Sequence, residues 1–210
     1  MKKITCFIAA LYFGWFSNAN ACADCDMPVN WGFSGSLGIT HYDSVYNHDG
    51  QSAIGRLSFN AQYLFSDFAA LGLEVGVQNG NTMRLDIPKP TLDLLGGEPV
   101  SILVKPMVDL LVSAQITPFE DVGFFGFIKG GVAFRQVQVD RNEVNDLSKT
   151  NPELQAGLGY KLNNNLALHI EYQQVFGGNS DYQVEPLTET ASISNIPTQK
   201  AVLFGLTLII

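Results

Sequence analysis

Ala201-Val202-Leu203-Phe204-Gly205-Leu206-Thr207-Leu208-Ile209-Ile210 is the stretch that decides the fold. In an extended chain, alternate side chains point to opposite faces. Val202, Phe204, Leu206, Leu208 and Ile210 then form one wholly apolar face, and Leu203, Gly205, Thr207 and Ile209 a smaller, mixed one. A strand with its large apolar face outward over a small or polar inner face suits a barrel whose outer solvent is lipid.

The same alternation recurs upstream. From Asn30 to Tyr42, Trp31, Phe33, Leu37 and Ile39 alternate with Gly32, Ser34, Ser36, Gly38 and Thr40. A second strand sets Leu57, Phe59, Ala61, Tyr63 and Phe65 against Arg56, Ser58, Asn60 and Gln62, and a third sets Leu71, Leu73, Val75 and Val77 against Gly72, Glu74, Gly76 and Gln78. A fourth places Val104, Val108, Leu110, Val112, Ala114 and Ile116 outside with Pro106, opposite Lys105, Met107, Asp109 and Ser113. Proline lacks the ladder donor, so a bulge is expected at Pro106. In the fifth, Phe124, Ile128, Val132 and Phe134 oppose Lys129 and Arg135, Phe125 and Phe127 plug the barrel end, and the parity flips beyond Gln136. The sixth and seventh carry Leu154, Ala156, Leu158, Tyr160, Leu162 and Leu166, Leu168, Ile170, Tyr172 outside. Inside stand Glu153, Gln155, Lys161, His169, Glu171 and Gln173. Short connections at Ser66-Asp67, Thr117–Asp121 and Asn163-Asn164-Asn165 alternate with long ones at Asp43–Gln51, Asn79–Pro99, beyond Gln136, and Gly177–Gln199. The expected fold is all-β: an eight-stranded antiparallel up-and-down transmembrane β-barrel with short periplasmic turns and long extracellular loops.

Composition agrees. Of 210 residues, 46% are hydrophobic and only 15% charged, against roughly 25% charged in soluble domains. No stretch of about 18 apolar residues follows the N-terminal region, so helical spans are not expected there. Lys2, Lys3, the apolar Ile4–Phe16 run and Ala19-Asn20-Ala21 read as a secretory signal peptide over residues 1–21, rather than an anchor. A short periplasmic segment (22–29) and the barrel (30–210) follow. Removing the two signal lysines takes the formal charge from −8 to about −10, which argues against nucleic-acid binding. Asp43, Asp49, Asp86, Asp93, Glu98, Asp140, Glu143, Asp146, Asp181, Glu185 and Glu189 fall between strands, giving acidic loops. Cys22 and Cys25 suit a short-loop disulfide in an oxidising compartment, with lipidation of Cys22 as an alternative and too few ligands nearby for a zinc or redox centre.

Inside the barrel, Arg56, Lys105, Lys129, Arg135 and Lys161 face Glu74, Asp109, Glu153 and Glu171, with His169 among them. Charges withdrawn from water must pair, so these groups are expected to cross-link the lumen. Eight strands leave room only for side chains, which disfavours a channel. Nothing resembles a nucleophile motif: His169 near Glu171, or His41 and His48 beside Asp43 and Asp49, needs no catalytic explanation, and neither an enzyme nor a cofactor is expected. Trp31, Phe33, Tyr42, Phe65, Phe68, Phe119, Phe124, Phe134, Tyr160, Tyr172 and Phe176 lie near strand ends and read as interfacial girdles.

On these residues the chain resembles the small eight-stranded outer-membrane β-barrels of Gram-negative bacteria: the OmpA transmembrane domain, OmpX and opacity-protein kind. The resemblance spans residues 30–210 and is architectural. Its sharpest motif is the C-terminal run in which Gly205, Leu208 and Ile210 match an assembly signal, although the family ends in Phe or Trp. It implies contact with outer-membrane lipid and lipopolysaccharide, recognition by the barrel-assembly machinery, and a structural or surface-interaction role with an unidentified extracellular ligand on the loops. Two alternatives are a narrow porin-like or OmpW-like conduit for small or hydrophobic solutes and an exported lipocalin-like carrier. The carrier would leave Gly, Ser, Asn and Gln on a water-facing surface where Lys and Glu are normal.

Overall fold

The computed structural model describes residues 29–46, 49–66, 68–94, 97, 100–119, 123–139, 146–178, 182–185 and 190–210. The signal-peptide reading and the Cys22–Cys25 pair lie outside these residues. Eight long strands carry the expected alternation: β1 (Val29–Tyr42), β2 (Ser52–Ser66), β3 (Ala69–Gln78), β6 (Met107–Phe119), β7 (Phe124–Val139), β8 (Leu147–Asn163), β9 (Leu166–Val175) and β12 (Gln199–Ile209). Between them come β4 (Asn81–Arg84), helix α1 (Lys89–Leu94), β5 (Ser101–Val104) and the hairpin β10 (Tyr182–Glu185)–β11 (Thr190–Ile193).

Each long strand pairs antiparallel with its sequence neighbours, and β1 pairs with β12, so the sheet closes on itself. At the seam Phe33 faces Leu208 and Ile39 faces Val202. Trp31 and Ile210 exchange backbone hydrogen bonds of 3.3 and 2.8 Å there. Closure removes every free edge at membrane depth, where an unpaired backbone group would cost several kcal/mol. The outward positions form a belt of exposed Leu, Ile, Val and Phe, with Leu37 at 73% exposure. In water such a belt would be an aggregation liability; in hydrocarbon it is the solvated face. No helix among the described residues is long and apolar enough to cross a membrane.

The structure corrects the sequence reading at the long-loop end. The fourth strand is two elements, broken at Lys105-Pro106. Across that break the parity reverses, so Val104 points inward at 2% exposure rather than outward. Both β5 and β6 pair with β7, and the break lets the chain cross Pro106 without a missing ladder bond. Nor does parity flip beyond Gln136. Strand β7 runs on to Val139, with Val137 and Val139 on the same inward face as Arg135. Strand β8 likewise begins at Leu147, six residues before Glu153, and pairs with this extension. Tyr42 is no girdle residue, because its ring is buried inward.

The two valines are apolar because the interior changes character there. Tyr42, Met83, Leu85, Ile87, Val100, Ile102, Val104, Val137, Val139 and Ile196 form one buried apolar cluster, with Val45 and Leu147 against it. It caps the barrel above the polar lumen. The β4–β5 hairpin contributes to the cap by adding to the edge of β7.

Candidate functional site: a cross-linked lumen

Inward residues of β2, β3, β6, β7 and β9 build a compact ion-pair layer. Arg56 lies at the centre: Nη1 contacts Glu74 Oε1 at 2.7 Å, Nη2 contacts Asp109 Oδ1 at 2.6 Å, and Nε donates to Asp109 Oδ2 at 3.1 Å. The fork matches a carboxylate bidentately, which lysine cannot do. Lys129 Nζ continues the chain, 3.0 Å from Glu74 Oε2 and 3.1 Å from Glu171 Oε2. Its ammonium also lies 5.0 Å from the centre of the Phe127 ring. Glycines make room for these groups: a Cβ at Gly76 would collide with Arg56 and Asp109.

Nearer the cap, Glu153 Oε1 accepts two amide donors, Gln155 Nε2 and Gln173 Nε2, each at 2.7 Å. Arg135 reaches the other way. Its Nη1 donates to the Pro197 carbonyl at 2.9 Å and its guanidinium stacks over Tyr42, while Nε and Nη2 have no partner among the described residues. Tyr42 in turn donates to Gln199 Oε1 at 3.1 Å. His169 bonds Ser36 Oγ and Thr207 Oγ1 at 3.2 and 3.3 Å, which occupies both ring nitrogens without any acidic partner.

Sequence reading placed ten charged or titratable groups in the lumen; the structure buries eight, Arg56, Glu74, Asp109, Lys129, Arg135, Glu153, His169 and Glu171, and joins five of them, Arg56, Glu74, Asp109, Lys129 and Glu171, in one ion-pair layer. Lys105 and Lys161 are half-buried and stand apart. Lys105 falls in the break between β5 and β6. Lys161 is near the end of β8, beside a small cavity of about 90 Å³ that opens at the short-turn end past Asn60, Gln62, Gln115 and Phe125. The buried tally is therefore three cations to four carboxylates, not five to four. Sequence reasoning gave Gln155, Gln173 and Tyr42 no functional weight. For the glutamines the available signal was Glu-x-Gln, which occurs on both β8 and β9.

Outside the barrel, Asp49 clasps Arg84 of β4 through contacts of 2.7 and 3.0 Å, and accepts the Arg84 backbone N–H at 3.0 Å. These bonds hold the Asp49 carboxyl down at about 2. The nearby Lys200–Asp43 pair, at 2.8 Å, is half exposed. Among the described residues no group of three or more His, Cys, Asp or Glu is placed to hold a metal ion.

An ion-paired interior inside a closed sheet with an apolar exterior defines the class: the fold is that of the small eight-stranded outer-membrane β-barrels. Similar solved structures include OprG from Pseudomonas aeruginosa, with 11% identity, coverage of 86% of this chain and 96% of that one, and a TM-score of 0.54. Ail from Yersinia pestis has 11% identity, 87% and 97% coverage, and a TM-score of 0.43. Neisserial surface protein A has 10% identity, 86% and 96% coverage, and a TM-score of 0.42. No protein-family model matches the sequence, and no curated protein matches it.

Proposed function

We propose that this chain is an outer-membrane barrel whose role is structural or surface-directed, with its short turns and termini in the periplasm and its acidic loops outside. One observation carries the reading: the lumen is obstructed twice. The Arg56–Glu74–Lys129–Glu171 layer crosses it, and the Tyr42–Ile102–Val137–Ile196 cap lies above that. A solute path would have to break buried ion pairs and then an apolar core. Both are costly, so the interior serves as a strut. What the protein offers its surroundings is the apparatus beyond the cap, stiffened by the β4–β5–β7 extension and the Asp49–Arg84 clasp. Lipid and lipopolysaccharide contact the belt, the assembly machinery reads Gly205, Leu208 and Ile210, and an extracellular ligand meets the loops.

Reconstituted in planar bilayers, the barrel is expected to show no steady conductance. Immobilised intact barrel is expected to retain an extracellular binder that a version with trimmed loops does not. Ohmic conductance in the wild type, or equal capture by both versions, overturns this reading in favour of a conduit.

A further inference from the structure

The cavity at the short-turn end combines an aromatic wall with polar groups and one cation. Phe125 and Phe127 of β7 lie side by side in its lining, with ring centres 6.1 Å apart and planes inclined by 33°. Both rings rest on β8, because the positions beneath them are glycine. A Cβ at Gly157 would strike the Phe127 ring, and one at Gly159 the Phe125 ring. The sequence reading makes these phenylalanines a plug; instead they line one wall and leave about 90 Å³ open beside them. The remaining lining is mixed and includes Asn60 of β2 and Ser113 of β6.

Two observations point to an occupant that is not protein. Asn60 and Ser113 are 8% and 4% exposed, and among the described residues their side chains have no hydrogen-bond partner. Buried polar groups without a protein partner meet water or a ligand. Lys161 lines the same cavity, on the inward face of β8 two residues beyond Gly159, and among the described residues no carboxylate pairs with it. Glu74, the acid on this lining, is already held by Arg56 and Lys129. The unmatched charge at the cavity is therefore positive. The Glu74–Lys129 pair also closes the inner end, so whatever enters from the short-turn side leaves by the same mouth.

We propose that this blind pocket binds a small organic monocarboxylate whose apolar body is the size of a single ring. The carboxylate pairs with Lys161, and the body lies against Phe125 and Phe127. The space holds about six waters, ~180 Å³ of liquid, which one ring and its carboxylate can replace. Water is a poor filler beside two phenyl faces, whereas an apolar body buries surface there and stacks on them. A single unpaired ammonium matches a monoanion, while the phosphate group is better met by the planar fork of an arginine. Binding is independent of which side of the membrane the short turns face, so it stands apart from the orientation proposed above.

The test is to titrate the barrel, folded in nanodiscs of neutral lipid, with para-fluorobenzoate followed by fluorine NMR, against empty nanodiscs to remove partitioning into lipid. Saturable binding is expected. Benzoate should displace the probe, while benzyl alcohol and benzylammonium, which carry the same ring on a neutral or cationic head, should not. Lys161→Met removes the charge and is expected to weaken binding by about tenfold or more, the loss of one charge-assisted contact. Lys161→Arg should retain binding, and Lys105→Met, at the half-buried lysine between β5 and β6, should leave it unchanged. Nuclear Overhauser contacts from the probe to the Phe125 and Phe127 rings of the wild type locate the site without a variant, should Lys161→Met fail to fold. No saturable binding above empty nanodiscs means a cavity holding water only and overturns the proposal. Equal displacement by the alcohol or the ammonium, undiminished binding in Lys161→Met, or bound probe without contact to either ring overturns it as well.

Discussion

Replacing Arg56 by leucine tests whether the lumen network is what holds the barrel together. Arg56 is 1% exposed and holds two carboxylates, Glu74 at 2.7 Å and Asp109 at 2.6 Å. Glu74 keeps Lys129 as a partner in the variant, but Asp109, at 0% exposure, loses its salt bridge altogether. Breaking a buried pair by deleting one member costs about 3–5 kcal/mol, because the stranded charge stays desolvated. The Lys200–Asp43 pair is the control. Its separation, 2.8 Å, is nearly the same, yet its partners are 39% and 38% exposed. Exposed pairs contribute only ~0–1 kcal/mol. Distance alone therefore predicts equal losses for Arg56→Leu and Lys200→Met, while burial predicts a several-fold difference. Urea titration of barrels folded in lipid vesicles, followed by gel mobility of folded and unfolded species, reads both. In the double variant Arg56→Leu, Asp109→Leu much of the stability should return, since an apolar pair of similar volume is often as good as a buried ion pair. Losses of similar size for Arg56→Leu and Lys200→Met would refute the reasoning.

Leu37→Arg, on the belt at 73% exposure, should cost about 2–4 kcal/mol of barrel stability in vesicles if that face meets the bilayer midplane. A value near zero in the same titration would mean water bathes it. At the β1–β12 seam, Gly38→Ala drives a Cβ into the Val202 carbonyl and should abolish folding on a gel-shift assay. Gly130→Ala meets nothing within 4 Å and should fold like wild type. The Asp49–Arg84 clasp should respond to acid. A carboxyl whose folded value is depressed to about 2 from 3.8 stabilises above its unfolded value and loses that contribution as pH falls toward 2. Amide exchange at Arg84, which donates to Asp49, should therefore be pH-independent from neutrality to about pH 4 after correction for intrinsic rates, and accelerate below it; protection unchanged down to pH 2 would contradict the clasp.

Alternation made the membrane-spanning parts of this fold legible because lipid and lumen impose opposite chemistry on successive residues. Where that contrast fails, so does the reading. Val137 and Val139 look outward-facing only on the premise that inward means polar, and above Arg135 inward means the apolar cap. Val104 misleads for the same reason, compounded by the reversal of face at Lys105-Pro106. The β4–β5 and β10–β11 hairpins are four residues per strand, too short for periodicity to stand out from their loops. For the site, residue type and parity sufficed to place Arg56, Glu74, Asp109, Lys129, Glu153 and Glu171 inside. Which of them touch depends on register and shear across non-adjacent strands, which no single strand encodes.

The division of the interior into two chemistries follows from what each half must resist. At bilayer depth the wall is already fixed by lipid outside and ladder bonds within. The lumen there needs only directional cross-links between strands, and ion pairs supply them at well-defined positions such as Arg56 between β3 and β6. Beyond the bilayer no lipid presses on the sheet, and β7, β8 and the β4–β5 hairpin would be loose ribbons in water. An apolar core is what orders ribbons in water, so the cap begins where the lipid belt ends. Arg135 and Tyr42 sit at that junction, the guanidinium stacked on the ring and bonded to the loop carbonyl of Pro197. They couple the orientation of the outer apparatus to the barrel. Tyr42 also donates to Gln199 Oε1 at 3.1 Å, so the junction is tied to β12 as well as to the loop carbonyl.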